Sequence, residues 1–244
     1  MAGIEFLSPE GLRVDGRRPP ELRKLKCQLG VFEQADGSAS IEQGNTKVLA
    51  TVYGPHDVSL RSQALHDRAA INCQFSMAPF STSERHKRSK GDRRSEEISL
   101  ALRQTFEAAL LTELFPQSKI DVYIQLLQSD GGNCSVCINA ATMALIDAGI
   151  PMKDYVCAST AGYIQDTPML DLNYLEETSG GPRLTVATLP KSGKIVFLQM
   201  DSRLHQDHLE KVLDTAVQGC RKTYTVLDSI VKDNLKNLQD SFAF

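Results

Sequence analysis

Residues 120–151 read IDVYIQLLQSDGGNCSVCINAATMALIDAGIP, and the fold turns on how this stretch divides. Residues 120–127 are mostly apolar and β-branched, which predicts a strand. Asp130-Gly131-Gly132-Asn133 then turns the chain into a helix over about 134–147. That helix is rich in Ala and apolar on most sides, so it is expected to be buried rather than laid on a surface. Gly149-Ile150-Pro151 ends it. On the N-terminal side, strand-like runs occupy 26–32, 38–42, 47–53 and 70–76, punctuated by Gly37, Gly44-Asn45 and Gly54-Pro55. Ile98, Leu102, Phe106, Leu110 and Leu114 recur every four residues and predict a second helix, capped by Asp92 or Ser95 and closed by Pro116. On the C-terminal side, strands are expected at 156–164, 169–172, 184–189 and 195–200, with Gly193 turning between the last two. A long amphipathic helix follows, carrying Leu209, Leu213, Ala216, Cys220, Leu227, Val231 and Leu238 near one face, suited to core packing or to a coiled-coil partner. Short strands mixed with separated helices predict an α+β fold with mixed sheets, and a seam near 149–154 could divide two lobes.

Composition narrows the classes. The chain has 244 residues, 41% hydrophobic and 23% charged, with a formal net charge of -3, which excludes whole-chain disorder. No run approaches the roughly 20 apolar residues a membrane helix needs, so no membrane partner is expected. The first residues lack a basic segment followed by an apolar one, and six cysteines are too sparse for a disulfide scaffold. A soluble, intracellular protein is the expectation. The net charge argues against general attraction to nucleic acid, but two local stretches are basic. Residues 84–94 carry six bases against two acids, and residues 13–26 again six against two.

Four constellations are candidates for chemistry. The Gly131-Gly132 turn opens a helix, where free N–H groups and the helix dipole suit a phosphate; the alternative is a plain structural turn. Cys134 and Cys137 begin the same helix, a position suited to redox chemistry or to two zinc ligands, although no second ligand pair stands at a suitable spacing. Arg93 and Arg94 close the basic loop and could grip phosphates, or the loop could simply be solvated. Asp171, Glu176 and Glu177 form an acidic group suited to magnesium or proton transfer, with Arg183 close enough in sequence to neutralise it. His205 and His208 stand at the start of the last helix, where exposure is expected, and no Ser-His-Asp arrangement stands out.

Six motifs occur in a telling order: Arg13-Val14-Asp15-Gly16-Arg17-Arg18, Asp36-Gly37-Ser38-Ala39, Gly44-Asn45-Thr46-Lys47-Val48, Arg93-Arg94, Asp130-Gly131-Gly132 and Asp147-Ala148-Gly149-Ile150-Pro151-Met152. Together they resemble the RNase PH family of phosphorolytic 3′→5′ exoribonucleases, from about Leu12 to the last helix. Within that family the likeness is to RNA exosome ring subunits of the class corresponding to the archaeal catalytic subunit. The resemblance implies an RNase PH-like α+β fold with buried helices and a long C-terminal helix, a first lobe over 12–150 and a second over 151–240. It implies a hetero-hexameric ring with other RNase PH-like exosome subunits, RNA-binding cap subunits on one face, associated hydrolytic exonuclease subunits, and single-stranded RNA threaded through the pore. Nucleus, nucleolus and cytoplasm are the implied compartments.

Active relatives hold the attacking phosphate with an Asp-Gly-Gly-Thr-Arg turn and a second arginine, and carry two aspartates six residues apart for metal or proton work. By resemblance the second arginine falls on Arg94. In the turn Gly131 and Gly132 match, while Asn133 stands for Thr and Cys134 for Arg. The aspartates fall on Glu177 and Arg183. Losing one preorganised donor costs about 10²–10³ in rate, and Arg183 inverts a charge. The expectation is therefore a catalytically inactive, RNA-guiding subunit with no metal or cofactor, a vestigial anion site at Arg94, Gly131, Gly132 and Asn133, and RNA contacts at Arg61, Arg93 and Arg94. The alternatives are an active phosphate-dependent 3′→5′ exoribonuclease subunit and, more remotely, a redox protein using Cys134 and Cys137.

Overall fold

In the computed structural model, which describes residues 6–58, 65–85 and 92–242, the quoted stretch forms the centre of the fold. Strand β5 (Ser118–Gln128) and helix α2 (Asn133–Asp147) flank the glycine turn. Strands β1 (Leu25–Leu29), β2 (Gly37–Gln43), β3 (Thr46–Asp57) and β4 (Ala70–Met77) join β5 in a five-stranded sheet of order β1-β2-β3-β5-β4. Its first three strands are consecutive antiparallel neighbours, with Gln43 opposite Thr46 around the Gly44-Asn45 turn. The chain leaves β4 through α1 (Arg93–Ala109) and returns as β5 parallel to it, which makes the sheet mixed. The second sheet, β7-β6-β8-β9, is antiparallel throughout and comprises β6 (Cys157–Ile164), β7 (Thr167–Leu170), β8 (Arg183–Leu189) and β9 (Lys194–Met200). A short helix α3 (Tyr174–Thr178) links β7 to β8, and α4 (Gln206–Phe242) ends the described chain.

Helix α2 lies between the sheets, with every residue from Ser135 to Leu145 buried. A helix apolar on all sides has to be enclosed, and its few polar residues bond to the neighbouring strand. The Asn139 amide donates to Ala158 O (3.0 Å) and accepts from Ala158 N (2.8 Å), and the Thr142 hydroxyl donates to Val156 O (2.9 Å). On the other side, β2 approaches so closely that a Cβ on Gly37 would lie 2.3 Å from Ala144 O, which is why glycine stands there. Alternation along β6 sends Thr160 toward Ser135 of α2 and Ser159 toward the Ala216 carbonyl of α4, so the two helices cover opposite faces of the second sheet.

Helix α4 packs into the core through Val212, Ala216, Cys220, Leu227 and Val231, while Leu235 and Leu238 near its end are about half exposed. The core-packing alternative for this helix therefore describes most of its length. Helix α1 is shorter than its period implied: a strict four-residue spacing drifts round a 3.6-residue helix. After Ala109 the chain leaves the helix, Leu110 bridges to Met152, and Leu114 is 60% exposed. Strand β3 continues past Gly54-Pro55 through a register shift between Tyr53 and His56, where a turn was expected. Strand β1 stops at Leu29 and β7 at Leu170, earlier than the apolar runs suggested. No helix among the described residues is long and apolar enough to cross a membrane.

Candidate active site

The glycine turn is held from behind by a buried arginine that sequence reading did not single out. Arg23 donates from its backbone N–H and Nε to Asp171 Oδ2 (2.8 and 3.0 Å) and from Nη2 to Asp171 Oδ1 (2.7 Å). The same guanidinium donates to Asp130 O (2.6 Å) and Gly131 O (3.1 Å), so it ties the turn to the end of β7. Burial alone would raise the Asp171 carboxyl, but Arg23 holds it below the ordinary carboxylate range. Gly131 has φ +84°, and a Cβ there would lie 2.4 Å from Leu172 O, so both conformation and packing demand glycine. Glu176 is likewise committed. Arg13 donates from Nε to Glu176 Oε1 (2.8 Å) and from Nη2 to Oε2, both side chains are fully buried, and Glu176 completes a capping box with Asn173 at the start of α3. The acidic group is thereby divided. Asp171 and Glu176 are structural ion-pair partners, and Glu177 alone faces open space.

That space is a cleft of about 640 Å³ between the two sheets. Its walls come from the ends of β4, α1, α2, β6, α3, β8 and β9. Arg93 and Arg94 enter from the first turn of α1, Gly132, Asn133 and Cys134 from the start of α2, Glu177 from α3, Arg183 from β8 and Asp201 from just beyond β9. Glu177 Oε1 accepts from the Gly132 N–H (2.7 Å), so the chain's own carboxylate sits on the first free amide of α2. Glu177 Oε2 is 3.1 Å from Arg183 Nη1, and Arg183 Nη2 pairs with Asp201 Oδ2. Asn133 pairs with the Ser129 hydroxyl and keeps the turn closed. Arg93 is paired with Glu97 one turn along α1 (3.0 Å), whereas Arg94 is exposed with no hydrogen bond or ion pair among the described residues. Among the described residues, Arg94 is thus a cation of the cleft whose guanidinium is unpaired.

The sequence-derived residues fall into three groups. Arg93, Arg94, Gly132, Asn133, Cys134, Glu177 and Arg183 meet in this cleft, while Gly131 shapes it from behind. Arg61 and the basic residues Lys87, Arg88 and Lys90 lie outside the described residues. His205 and His208 lie elsewhere: His205 is exposed, and His208 is partly covered by stacking on Tyr163, with ring centroids 4.5 Å apart. Asp201 was missed, although an antiparallel hairpin turning at Gly193 places residue 201 opposite 183, and the Asp201 N–H donates to Arg183 O (3.1 Å). Redox chemistry at Cys134 and Cys137 is disfavoured by their setting. Burial pushes the Cys134 thiol up to about 12 and Cys137 well above its ordinary value, the reverse of the lowered thiol that redox sites use.

A divalent cation, which the resemblance associates with the pair at Glu177 and Arg183, does not fit the residues present. A guanidinium has no lone pair to offer a metal, and it already occupies both neighbouring carboxylates. Among the described residues no group of three or more His, Cys, Asp or Glu is placed to hold a metal ion.

The fold and the cleft define a two-sheet α+β protein with an arginine-lined cleft at a glycine turn. Residues 21–151 match the model described as 3′ exoribonuclease family, domain 1, and residues 154–219 match domain 2 of the same family. The chain belongs to the 3′ exoribonuclease, or RNase PH, family. It is 58% identical over 237 residues to the human exosome complex component RRP41, covering 97% of each chain. It is 43% identical over 219 residues to exosome complex component Rrp41 of Methanopyrus kandleri, covering 90% of this chain and 91% of that one. Its fold superposes on the crystal structure of rice Rrp46 with a TM-score of 0.82 at 23% identity, over 90% of this chain and all of that one.

These relationships correct the expectation of catalytic inactivity. The matched family is described as one of 3′ exoribonucleases, and the human and archaeal relatives, named exosome complex component RRP41 and Rrp41, match nearly the whole chain. The expectation weighed Cys134 and Arg183 as isolated losses, whereas the cleft also keeps an unpaired Arg94, the shaped glycine turn and Glu177, and has a further carboxylate in Asp201.

Proposed function

We propose that this chain is a core subunit of an RNA exosome that takes RNA 3′ ends into the cleft and shortens them by phosphorolysis. The observation that carries this reading is the convergence of Arg94, the α2 N-terminus and Glu177 on one cleft. In the proposed reaction, inorganic phosphate attacks the terminal phosphodiester. A new P–O bond forms to the phosphate, the bond from phosphorus to the 3′-oxygen breaks, and a nucleoside diphosphate leaves. The shortened RNA keeps its 3′-oxygen and gains a proton there. Arg94 draws the phosphate in, the glycine turn lets it approach backbone N–H groups, and Glu177 is the carboxylate placed to pass the proton. Charge stabilisation at Cys134 is absent, so turnover should be about 10²–10³ slower than in a cleft with arginine there.

Arg93 and Arg94, with Arg61, would contact the RNA backbone on its way to the cleft. In this proposal the working particle is a hetero-hexameric ring with other RNase PH-like subunits, RNA-binding cap subunits and hydrolytic exonuclease subunits, acting in nucleus, nucleolus and cytoplasm. Relatives named as exosome complex components support the assembly. The test is release of nucleoside diphosphates from single-stranded RNA by the co-purified complex with phosphate. Product that falls with Arg94→Ala and rises about 10²-fold with Cys134→Arg is the expected result. A complex that binds RNA and yields no diphosphate, in wild type and in Cys134→Arg alike, overturns it.

A further inference from the structure

We propose that Arg183 is the resident cation of the cleft, holding by its own guanidinium the place between Glu177 and Asp201 where a divalent metal would have to sit. Three observations converge on this. The Arg183 fork reaches one carboxylate with each terminal nitrogen: Nη1 lies 3.1 Å from Glu177 Oε2, and Nη2 pairs with Asp201 Oδ2. The backbone fixes the spacing, because Asp201 N–H donates to Arg183 O at 3.1 Å and so extends the β8–β9 ladder by one pair. The remaining oxygen of Glu177 is engaged by the Gly132 N–H at 2.7 Å, so both of its oxygens already have a partner.

A guanidinium stays charged at any accessible pH and matches carboxylates through a rigid fork. A metal entering here would have to break two charge-assisted pairs and sit beside a fixed positive charge. The arrangement also gives Arg183 a positioning role, since it and the Gly132 amide hold Glu177 in one orientation. The consequence for turnover, that phosphate transfer in this cleft proceeds without a metal at Glu177, rests on the phosphorolytic reading. The exclusion of metal does not.

The test uses the full chain with Mn²⁺ as a paramagnetic probe, read by the signal of free Mn²⁺ in the absence of RNA and phosphate. Wild type should show no site that depends on Glu177 or Asp201. Arg183→Asp should gain one, tighter than any wild-type binding by roughly tenfold or more, and the added substitution Glu177→Gln should remove it. Arg183→Gln, uncharged and nearly as long, gives the same gain more weakly and serves if the aspartate variant does not fold. A wild-type Mn²⁺ site abolished by Glu177→Gln or Asp201→Asn overturns the proposal, as does a folded Arg183→Asp chain that gains none. Because no RNA or phosphate is present, failure of phosphorolysis leaves this result readable by itself.

Discussion

Substituting Asp171 by Asn removes one charge from the cradle behind the glycine turn and little else. Asp171 is 1% exposed and has φ +55°, a left-handed conformation that Asn tolerates as well as Asp, so the exchange adds no backbone strain. What changes is the charge facing Arg23, whose side chain is 6% exposed, and Arg17, whose Nη1 lies 3.7 Å from Asp171 Oδ2. Breaking a buried ion pair by removing one partner destabilises by about 3–5 kcal/mol, because the other charge stays buried. Arg23 keeps its bonds to Thr46, Asp130 O and Gly131 O, and Asp130 Oδ2 stands 3.9 Å away, so the lower end, about 3 kcal/mol, applies. At this chain length that lowers the melting temperature by about 6–12 °C. The pH dependence supplies an internal control. The folded-state pKa of Asp171 lies below its ordinary value of 3.8, so its contribution is complete above that pH and is lost as pH falls further. Thermal unfolding of both chains at neutral pH and through the acid range therefore checks two things at once. The gap should be full at neutrality and still full at pH 5, and should close below about pH 3.8. A neutral-pH difference under about 1 kcal/mol, or a gap that persists unchanged into acid, would refute the assignment of Arg23 and Asp171 as the strut of the turn.

Three further outcomes follow from the same geometry. Reversing Arg94 to Glu should weaken single-stranded RNA binding more than reversing Arg93, whose guanidinium is already paired with Glu97; binding measured across salt should lose about 0.7 of log–log slope for each phosphate contact removed. Asn139→Ala should cost about 1–3 kcal/mol in denaturant unfolding, since it strands the buried N–H and C=O of Ala158; an unchanged midpoint would contradict the bonds drawn there. Alkylation of Cys134 in the native chain at pH 8 should be slow, with a thiolate fraction of about one in 10⁴ for a thiol pushed up to about 12, and should accelerate on unfolding. Rapid native labelling there would reopen redox chemistry.

The legibility of this chain divides along a physical line. Local signals carried the elements: apolar runs gave the strands, the all-round apolar character of 134–147 gave a buried helix, and Gly44-Asn45 and Gly193 gave hairpin turns that the registers bear out. Boundaries failed where tertiary contacts override local pattern. The apolar spacing continues to Leu114, but Leu110 turns away to bridge Met152 and the helix stops. Charges were harder, because an ion pair is a statement about three-dimensional neighbours. Arg13 and Arg23 counted as members of a basic stretch, yet both are buried struts, pairing 163 and 148 residues along the chain with Glu176 and Asp171. The acidic group of Asp171, Glu176 and Glu177 is one cluster in sequence and three separate environments in space.

Arg183 shows what this separation does to functional inference. Taken along the chain, it stands six residues after Glu177 and simply replaces a carboxylate with its opposite, so the site counts as broken. In space it is bracketed by two carboxylates, and the second, Asp201, arrives through the β8–β9 hairpin rather than through any spacing measured from Glu177. The substitution and its compensation belong to different strands, and only the ladder joins them. The charge balance of the cleft is accordingly a property of the hairpin register. Asp201→Asn should therefore disturb Glu177, which it does not touch, by releasing one end of the guanidinium that orients it. If Glu177 passes the proton in phosphorolysis, turnover should fall in Asp201→Asn while RNA affinity at Arg94 stays the same. Turnover that does not change would place Asp201 outside the working site and leave Arg183 anchored by Glu177 alone.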